Sequence, residues 1–597
     1  MYFVCHLMSR RGNEKSHSRT NSVRFFPILC LLLFTAMAHA DPLPADRRID
    51  WTHVGVPGGV PTNYTFFCNV TNIPGTSLVA DPTGVNDSTI AIQTAINLAT
   101  NYSVVNLPGG TFVTTNNLSI VGKHIILRGV YGQTWITNAN PASWFGNCIT
   151  INVGSQNSYW SNNITGGATN GSFSCVVGGS GGSVAPTVGY WYLIGSDTDP
   201  GEIIRDGCND SGQYLHNYKE IVLITNVTGN TVMFTPPLRW DLATNNPWFY
   251  MVSKDTDANY CGVENLNLAQ CAGTQSIRDL VFIGGVQCCW VTGCHLYKCQ
   301  NNAVELAFCS HCTLESNFVD HAWDYEGGWG YGFWLFDCDN DILMENNIFN
   351  NMRHGLATEG WVTGCVFAYN YMTNECFRSV SGVPFNSMSG DIITHAVGAK
   401  YNLIEGNVTD RIWMDNTHAS GLRNTIFRNR VLPVTHNDDF PDGSITYGCI
   451  ALDDALHNNY ISEIGNVLGV SGLTVNYEGN TTNSPGYANY IYMNGFSCDN
   501  TDGGGTIADC MTNLLRAVNW DTATGTTISD VGVDTNLPAS YYLTSKPSWW
   551  GSGAWPSIGP DLSPMFSTIP AQDRFVKSLT ATAIAPPSNL HPMLSGL

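Results

Sequence analysis

A short apolar segment that ends in asparagine recurs through the central part of the chain. The recurring asparagines are Asn317, Asn347, Asn370, Asn407, Asn429 and Asn466. Their separations of 30, 23, 37, 22 and 37 residues indicate a base period of 22 to 23, with loops inserted in the longer repeats. Short strands at this period, without helices between them, are typical of a solenoid. An asparagine at each turn can hydrogen-bond its own bend and the neighbouring coil, so we interpret the series as structural.

Residues 81–128 have the pattern expected at the start of such a solenoid. Turn residues precede apolar positions with helical spacing, which are Ile92, Ala95, Ile96 and Ala99. Two short strands separated by glycine turns follow, at 104–112 and 125–129. The pattern predicts an all-β protein, a single-stranded parallel β-helix whose open end is capped by one short N-terminal helix.

The chain divides into five stretches. Residues 1–40 combine a basic stretch, an apolar run and the triplet Ala38-His39-Ala40, which predict a signal peptide and a secreted, extracellular or periplasmic protein. The other stretches are expected to be the cap and first coils at 41–135, an irregular insert with a hairpin at 136–275, the regular β-helix at 276–500, and a Trp- and Pro-rich tail at 501–597 that packs on or caps the solenoid.

Charge and cysteine content limit the environment and the partners. A net charge of −21 with 26 Lys and Arg disfavours nucleic acid, whose phosphates need a basic surface. No later apolar stretch reaches the roughly 18 residues of a membrane span, so no membrane insertion is expected. Removing Cys5 and Cys30 with the signal leaves 18 of the 20 cysteines, which predicts disulfides. Alternatively, cysteines such as Cys289 and Cys312 are small core residues stacked inside a coil.

Six segments carry motifs found together in one protein superfamily. They are residues 81–96, Leu107-Pro-Gly-Gly-Thr-Phe, Ile126-Leu-Arg-Gly, Arg353-His-Gly, Asn402-Leu-Ile-Glu-Gly-Asn and Phe427-Arg-Asn-Arg. These segments resemble the pectate-lyase-like β-helix superfamily, in its secreted bacterial branch. The resemblance implies a right-handed parallel β-helix over most of the chain and a polysaccharide as target. The superfamily includes lyases, hydrolases, epimerases and adhesins, so the fold does not select the activity.

A repeated tripeptide, Thr-His-Ala, indicates where chemistry could occur. Its two copies are offset by 23 residues, which is one coil, so His395 and His418 are expected on adjacent strands about 4.8 Å apart. Arg353 and His354 lie two coils earlier once an inserted loop is discounted, and Asp415 lies three residues before His418. Stacked histidines depress each other's protonation, which would keep one neutral as a base. We predict these five residues as catalytic; the alternative is a structural ladder.

An insert between two coils is rich in aromatic and acidic residues. Trp323, Tyr325 and Trp329 offer rings that can stack on sugars, and Asp324 and Glu326 lie between them. We predict these five residues as substrate-binding. The alternative for the rings is a satellite core on the side of the solenoid.

Two carboxylate groups fit hydrolysis instead. One is Asp320 with the acids of the aromatic insert, and the other is the pair Asp453 and Asp454. A glycosidase needs two carboxyl groups about 5 to 9 Å apart. Such acids also occur in loops merely because they are well solvated.

Three alternate aspartates form a possible metal site. Asp337, Asp339 and Asp341 would project to the same side of a strand, where carboxylates could bind calcium. The alternative is a simple turn. Calcium is the one cofactor that the sequence suggests.

The sequence-based hypothesis is a carbohydrate-active enzyme acting on a long polysaccharide laid along the solenoid. We favour a lyase that cleaves a uronate-containing glycan by β-elimination, with His395 or His418 as the base. A glycoside hydrolase is the second hypothesis. The third is a non-catalytic glycan-binding or surface protein that uses the solenoid as a rod.

Overall fold

The structure is a computed structural model in which residues 41–139, 146–153, 162–178, 186–196, 218–242, 247–254, 257–271, 279–377, 387–436, 445–481, 488–496 and 506–580 are described. The predicted signal peptide at 1–40 lies outside these residues. No helix among the described residues is long and apolar enough to cross a membrane.

Three long sheets of parallel strands dominate the fold, and the chain visits sheets A, B and C in turn. In spatial order, sheet A contains β1 (Thr65–Asn69), β3 (Ser103–Asn106), β6 (Ile125–Arg128), β15 (Gly262–Glu264), β18 (Trp290–Thr292), β21 (Thr313–Glu315), β24 (Leu343–Glu345), β27 (Val366–Ala368), β32 (Leu403–Glu405), β35 (Thr425–Phe427), β38 (Ser462–Ile464) and β42 (Leu515–Ala517). Sheet B contains β2 (Thr83–Asp87), β4 (Gly110–Thr114), β7 (Thr134–Asn138), β16 (Asn267–Gln270), β19 (His295–Cys299), β22 (Phe318–Ala322), β25 (Ile348–Asn350), β28 (Tyr371–Thr373), β33 (Val408–Thr409), β36 (Arg430–Val431), β39 (Val467–Leu468), β43 (Asn519–Asp521) and the antiparallel β44 (Thr527–Ile528). Sheet C contains β5 (Leu118–Val121), β8 (Ile149–Asn152), β17 (Val281–Gly284), β20 (Asn302–Ala307), β23 (Tyr331–Phe336), β26 (His354–Glu359), β31 (Ile392–Ala396), β34 (Ile412–His418), β37 (Ile450–Asp454), β41 (Tyr490–Asn494) and β40 (Asn476–Asn480).

The remaining elements lie outside these sheets. A closed antiparallel barrel is formed by β9 (Asn162–Gly167), β10 (Ser174–Val177), β11 (Trp191–Ser196), β12 (Tyr218–Thr228), β13 (Thr231–Thr235) and β14 (Trp248–Ser253). The short antiparallel pair is β29 (Cys376–Phe377) with β30 (Ser387–Met388). The helices are α1 (Thr89–Leu98), α2 (Ile507–Met511), α3 (Pro570–Thr580) and the 3₁₀ turns Ala45–Arg47, Trp51–His53 and Ser548–Trp550.

The all-β prediction and the long parallel sheets are therefore confirmed. Helix α1 buries Ile92, Ala95 and Ile96 in the core shared with the sheets, as their spacing predicted. Its role as a cap stays a prediction. The stretch expected to be an irregular insert contains the regular barrel instead, with the expected hairpin at 226–234 within β12 and β13. The sequence did not reveal the barrel because its antiparallel strands do not follow the 22- to 23-residue period of the coils.

The turn between sheets A and B explains the asparagine repeat. The residue before each ladder asparagine has a left-handed backbone, with φ near +55° at Tyr369 and Arg428 and +68° at Gly406. This conformation turns the chain sharply, and the following asparagine side chain then points between coils. The side-chain amide of Asn370 donates to Met344 O at 3.0 Å and to Asn407 Oδ1 at 3.0 Å.

The asparagines form a continuous buried ladder, which extends one rung beyond the predicted series to Asn519. Asn347 donates both its backbone N–H (2.9 Å) and its side-chain N–H (3.0 Å) to Asn370 Oδ1. Asn370 makes the same pair of bonds to Asn407. Each amide satisfies buried groups on two coils, so the ladder holds the strands in register.

The cysteines fill comparable inner positions. Cys289, Cys294, Cys309 and Cys312 are among the described cysteines that carry free, buried thiols, so the predicted disulfides find no support at these positions. Cys289 and Cys312 stack inside the coils, and the Cys289 N–H donates to the Cys312 sulfur at 3.3 Å. These two cysteines are thus small core residues, as the alternative interpretation held.

The C-terminal segment packs along the outer side of sheet A. Tyr542 donates its hydroxyl to Glu345 at 3.0 Å, and the Tyr541 N–H donates to Glu405 at 2.9 Å. Arg428 pairs with Asp561 of the same segment. Tyr542 and Trp550 of this segment pack in one buried cluster with Val366, Leu403 and Phe427 of sheet A.

Replacing Asn370 by alanine should lower the free energy of unfolding by at least about 2 kcal/mol, because the Asn347 N–H groups and the Met344 carbonyl lose buried partners. Urea denaturation measures the change. The control is Asn116→Ala in an exposed turn, which should stay within about 0.5 kcal/mol of the parent. Equal losses in the two variants would contradict the structural role of the ladder.

Candidate active site on sheet C

The outer face of sheet C carries a short apolar strip. Side chains alternate between the core and the outer face, and register aligns Trp334, Ala357, Ile393 and Trp413 on four neighbouring strands. Tyr331 packs with them, and its ring centroid lies 4.4 Å from that of Trp334. The two tryptophans stay half-buried, so each offers part of its ring to solvent. Such partly exposed rings suit contact with sugars.

An acid–base row lies two residues further along the same strands. It is formed by Glu359, His395 and Asp415. Thr358 pairs with Thr394, and Thr394 with Met414, so the next residue on each strand lies in the row. The register between β31 and β34 shifts at this point. That irregularity places His418 near the row as well, with its ring centroid 5.0 Å from that of His395 and nearly perpendicular to it.

His395 and Asp415 form a hydrogen-bonded dyad. The Nδ1–H of His395 donates to Asp415 Oδ2 at 2.7 Å, because an ionised carboxylate can only accept. Asp415 is almost fully buried, with 1% of its side chain exposed, whereas 17% of His395 is exposed. Asp415 also accepts from the Thr417 hydroxyl at 3.0 Å. The carboxylate therefore fixes the imidazole so that Nε2 is left to exchange a proton.

The charges around His395 raise its pKa, whereas the sequence analysis expected a lowered pKa. Burial alone would lower the pKa of His395, but the Asp415 carboxylate and its hydrogen bond raise it above the usual value, with a further contribution from Glu359. Stacking on His418 was expected to lower the pKa of His395. The carboxylate is in direct contact and dominates, so His395 is a stronger base than free histidine.

Glu359 is the other titrating group of the row. Burial raises the pKa of Glu359 to about 7, Asp415 adds to the rise, and His395 opposes it. A carboxyl group in this environment keeps its proton up to neutral pH and can act as a general acid.

Arg353, Tyr331 and His354 form a cluster at the start of β26, and the charge of Arg353 acts to lower the pKa of His395. Arg353 donates to the Tyr331 hydroxyl at 2.7 Å, and its side chain is half-buried. His354 stacks on the Tyr331 ring at 5.2 Å and donates Nδ1–H to Gly390 O at 2.6 Å. Burial and the neighbouring Arg353 hold the pKa of His354 well below its usual value. His354 is therefore a neutral, buried residue that positions its neighbours.

The structure thus brings all five residues predicted as catalytic to one region of sheet C. The sequence interpretation missed Glu359 and Trp413. A signal for Glu359 was present, since Thr358-Glu359 and Thr394-His395 occupy equal places in successive coils. The 36-residue offset hid it, because it exceeds the base period.

The residues predicted to bind substrate lie in the loop that leads into β23. Trp323, Asp324, Glu326 and Trp329 are half-buried there, and Trp323 donates to Gln270 O at 3.0 Å. Tyr325 is 4% exposed and belongs to the core, so its ring is not available to stack on a sugar.

The carboxylates proposed for hydrolysis already have protein partners or point inward. Asp320 contacts His321 at 2.7 Å, and this contact helps to lower its pKa against the effect of burial. Asp453 pairs with Arg411, while Asp454 is buried in the strand interior. The pair Asp453 and Asp454 therefore does not present two free carboxylates to solvent.

The three aspartates predicted to bind calcium do not converge. Lys219 donates to Asp337 at 3.0 Å, and Arg239 pairs with Asp341. Asp339 accepts the N–H groups of Cys309 (2.7 Å) and Phe336 (3.0 Å). Left-handed φ angles at Asp337 (46°) and Asp341 (55°) break the strand alternation on which the prediction depended. Two of these carboxylates instead bind cations of the barrel segment.

Comparison with known families addresses the fold directly. Residues 256–394 match the sequence profile of a family described as the right-handed beta helix region. This match supports a right-handed β-helix within residues 256–394. The matched segment includes β26 with Glu359 and ends one residue before His395. The resemblance to the pectate-lyase-like β-helix superfamily is confirmed at the level of the fold.

Several solved structures are similar to this chain. Tailspike protein gp49 of Pseudomonas phage LKA1 is 16% identical with a TM-score of 0.45, and the alignment covers 68% of this chain but only 63% of the tailspike. Tailspike gp61 of Pseudomonas phage phi297 is 12% identical with a TM-score of 0.46, covering 77% and 81%. The A-module of the Azotobacter vinelandii mannuronan C-5 epimerase AlgE4 is 12% identical with a TM-score of 0.29, covering 72% and 95%. No curated protein sequence matches the chain.

Replacing Asp415 by asparagine should lower the pKa of His395, because burial then acts without the opposing carboxylate. Histidine-selective isotope labelling and an NMR titration of the imidazole signals measure the shift. Asp534→Asn, in an exposed turn, is the matched control and should leave the titration unchanged. A His395 pKa that is the same in all three proteins would contradict the dyad.

Proposed function

We propose that the protein is a secreted polysaccharide lyase that cleaves a uronate-containing glycan by β-elimination on the outer face of sheet C. The acid–base row, together with Arg353, carries the proposal. β-Elimination needs a base for the C5 proton, a proton donor for the leaving oxygen and a cation for the uronate carboxylate. Neighbouring strands supply one group for each role, namely His395, Glu359 and Arg353.

His395 acts as the base through Nε2, since Nδ1–H is engaged by Asp415. The imidazole takes the C5 proton, and the C5–H electron pair becomes the C4–C5 double bond as the bond from C4 to the glycosidic oxygen breaks. Glu359 protonates the departing oxygen. The raised pKa of Glu359, about 7, keeps that proton available near neutral pH.

Arg353 neutralises the uronate carboxylate and so makes C5–H more acidic. Its guanidinium is held by the Tyr331 hydroxyl and lies 5.2 Å from the Tyr331 ring centroid. The chain carries a net charge of −21, which opposes binding of an acidic polymer. The positive charge of Arg353 offsets that repulsion at the point of cleavage.

The glycan would lie across the strands of sheet C. Trp334 and Trp413 border the row and offer partly exposed rings, and the loop with Trp323 and Trp329 lies at the start of β23. Sugar rings stack on such surfaces while hydroxyl groups bind nearby polar side chains. The signal-like residues 1–40 support export to the place where such polymers occur.

A glycoside hydrolase is the second candidate, and the protonated state of Glu359 favours it. Glu359 would protonate the glycosidic oxygen, and the His395–Asp415 dyad would activate water. Glu359 and Asp415 are two strands apart, about 9.6 Å by strand spacing, which approaches the separation in inverting enzymes. The acidic surface suits a neutral glycan. A non-catalytic glycan-binding protein is the third candidate, and it would show no turnover.

Incubation with a panel of uronate and neutral polysaccharides distinguishes the candidates. A lyase gives rising absorbance of unsaturated products together with reducing ends, and a hydrolase gives reducing ends alone. His395→Gln should lower turnover by about 10²–10⁴-fold while substrate affinity remains, because it removes the base. His53→Gln is the control, since 78% of that side chain is exposed far from sheet C. Full activity in His395→Gln would contradict the proposed base.

The pH profile of kcat/KM should be a narrow bell near neutral pH. Activity rises as His395 loses its proton, above the ordinary histidine pKa, and falls as Glu359 ionises around pH 7. In Asp415→Asn the acidic limb should move to lower pH, because the pKa of His395 falls. In Glu359→Gln the alkaline limb should disappear with much of the rate. Unchanged limbs in both variants would exclude these assignments.

A further inference from the structure

Three carboxylates meet at the corner between sheets B and C, away from the acid–base row. Glu375 directly precedes β29, Asp391 directly precedes β31, and Asp410 lies between β33 and β34. One carboxylate oxygen of each lies within 4.8 Å of the others. Glu375 and Asp391 are 0% exposed, and Asp410 is 5% exposed. Three acids are therefore concentrated in a space that water does not reach.

The protein supplies few partners for these oxygens. One Asp391 oxygen accepts the Thr409 hydroxyl at 2.7 Å and the N–H of Asp410, and Asp410 accepts the Asn374 N–H at 3.1 Å. Both oxygens of Glu375 and the second oxygen of Asp391 are buried without any hydrogen-bond partner. Buried carboxylates without partners are strongly unfavourable unless a cation or a proton compensates them.

No side-chain cation of the described residues compensates the cluster. The nearest candidate in sequence, Arg411, directs its guanidinium to Asp453 and to the Met388 carbonyl. Burial and the mutual repulsion of the acids raise the pKa of Glu375 and of Asp410. No cation among the described residues therefore balances these carboxylates when they are ionised, and a bound cation would do so.

We propose that Glu375, Asp391 and Asp410 bind one structural calcium ion. The ligand atoms are all oxygen, which favours a hard cation over zinc or copper. Calcium binds oxygens at about 2.3–2.6 Å, so ligands on opposite sides are about 4.6–5.2 Å apart. Magnesium demands near-ideal octahedral geometry and usually keeps several waters, which a buried cluster of three carboxylates suits less well. The three oxygens all lie within 4.8 Å of one another, close enough to share one calcium ion.

The position of the site gives the ion a structural role. It connects the segments that begin β31 and β34, the two strands that carry His395 and Asp415. Gly390, which directly precedes Asp391, accepts the hydrogen bond that orients His354. An ion at this corner would therefore fix the start of both strands. The calcium proposal itself does not depend on the activity proposed for sheet C.

Calcium binding to the purified chain tests the proposal. The protein is treated with EGTA and desalted, then equilibrated with Ca²⁺ or Mg²⁺, and bound metal is measured by mass spectrometry alongside the unfolding temperature. One calcium per chain should bind, and the unfolding temperature should rise by several degrees, with a smaller rise in Mg²⁺. Glu375→Gln should weaken calcium binding at least tenfold and remove the rise. Glu345→Gln, another buried acid with a tyrosine partner, should keep both.

Three outcomes would overturn the proposal. They are a parent protein that binds no calcium, a Glu375→Gln variant that binds calcium like the parent, and binding of Mg²⁺ in preference to Ca²⁺. If Glu375→Gln does not fold, anomalous diffraction from crystals of the parent grown in calcium decides the matter. An ion between the three carboxylates supports the proposal, and an ion found only elsewhere refutes it.

Discussion

The buried asparagine ladder is the constraint on which the rest of the structure depends. Each rung satisfies backbone and side-chain groups on two coils, so neighbouring strands cannot slide without leaving buried polar groups unpaired. Because the ladder fixes the register of the strands in sheets A and B, the register of sheet C is fixed as well. Residues far apart in sequence therefore align across the outer face of sheet C. Glu359 and His395 are neighbours for this reason, although 36 residues separate them.

Burial on the outer face of sheet C shifts the pKa values of its acids and bases in opposite directions, and contact with a charged neighbour can outweigh this effect. It raises the pKa of Glu359 and lowers that of His354, as expected for an acid and a base removed from water. His395 differs because Asp415 is in direct contact with it and outweighs the burial. One arrangement of strands therefore yields a proton donor, a stronger base and a neutral positioning residue within a few side chains of each other.

Periodicity made the architecture predictable, whereas contacts between distant segments could not be read from the sequence. The asparagine period indicated parallel strands, and the repeated Thr-His-Ala indicated that His395 and His418 lie close together. The aspartates at 337–341 were misread because left-handed turns and cations from the barrel are invisible to strand alternation. The cluster of Glu375, Asp391 and Asp410 was missed because its members belong to three different loops, with no shared spacing.

The most direct test of the proposed site is a crystal structure of the His395→Gln variant with a bound uronate oligosaccharide. The account predicts a sugar carboxylate bound to Arg353, the neighbouring rings against Trp334 and Trp413, and C5 facing residue 395. An oligosaccharide bound to the barrel or to sheet A, with the outer face of sheet C unoccupied, would contradict it.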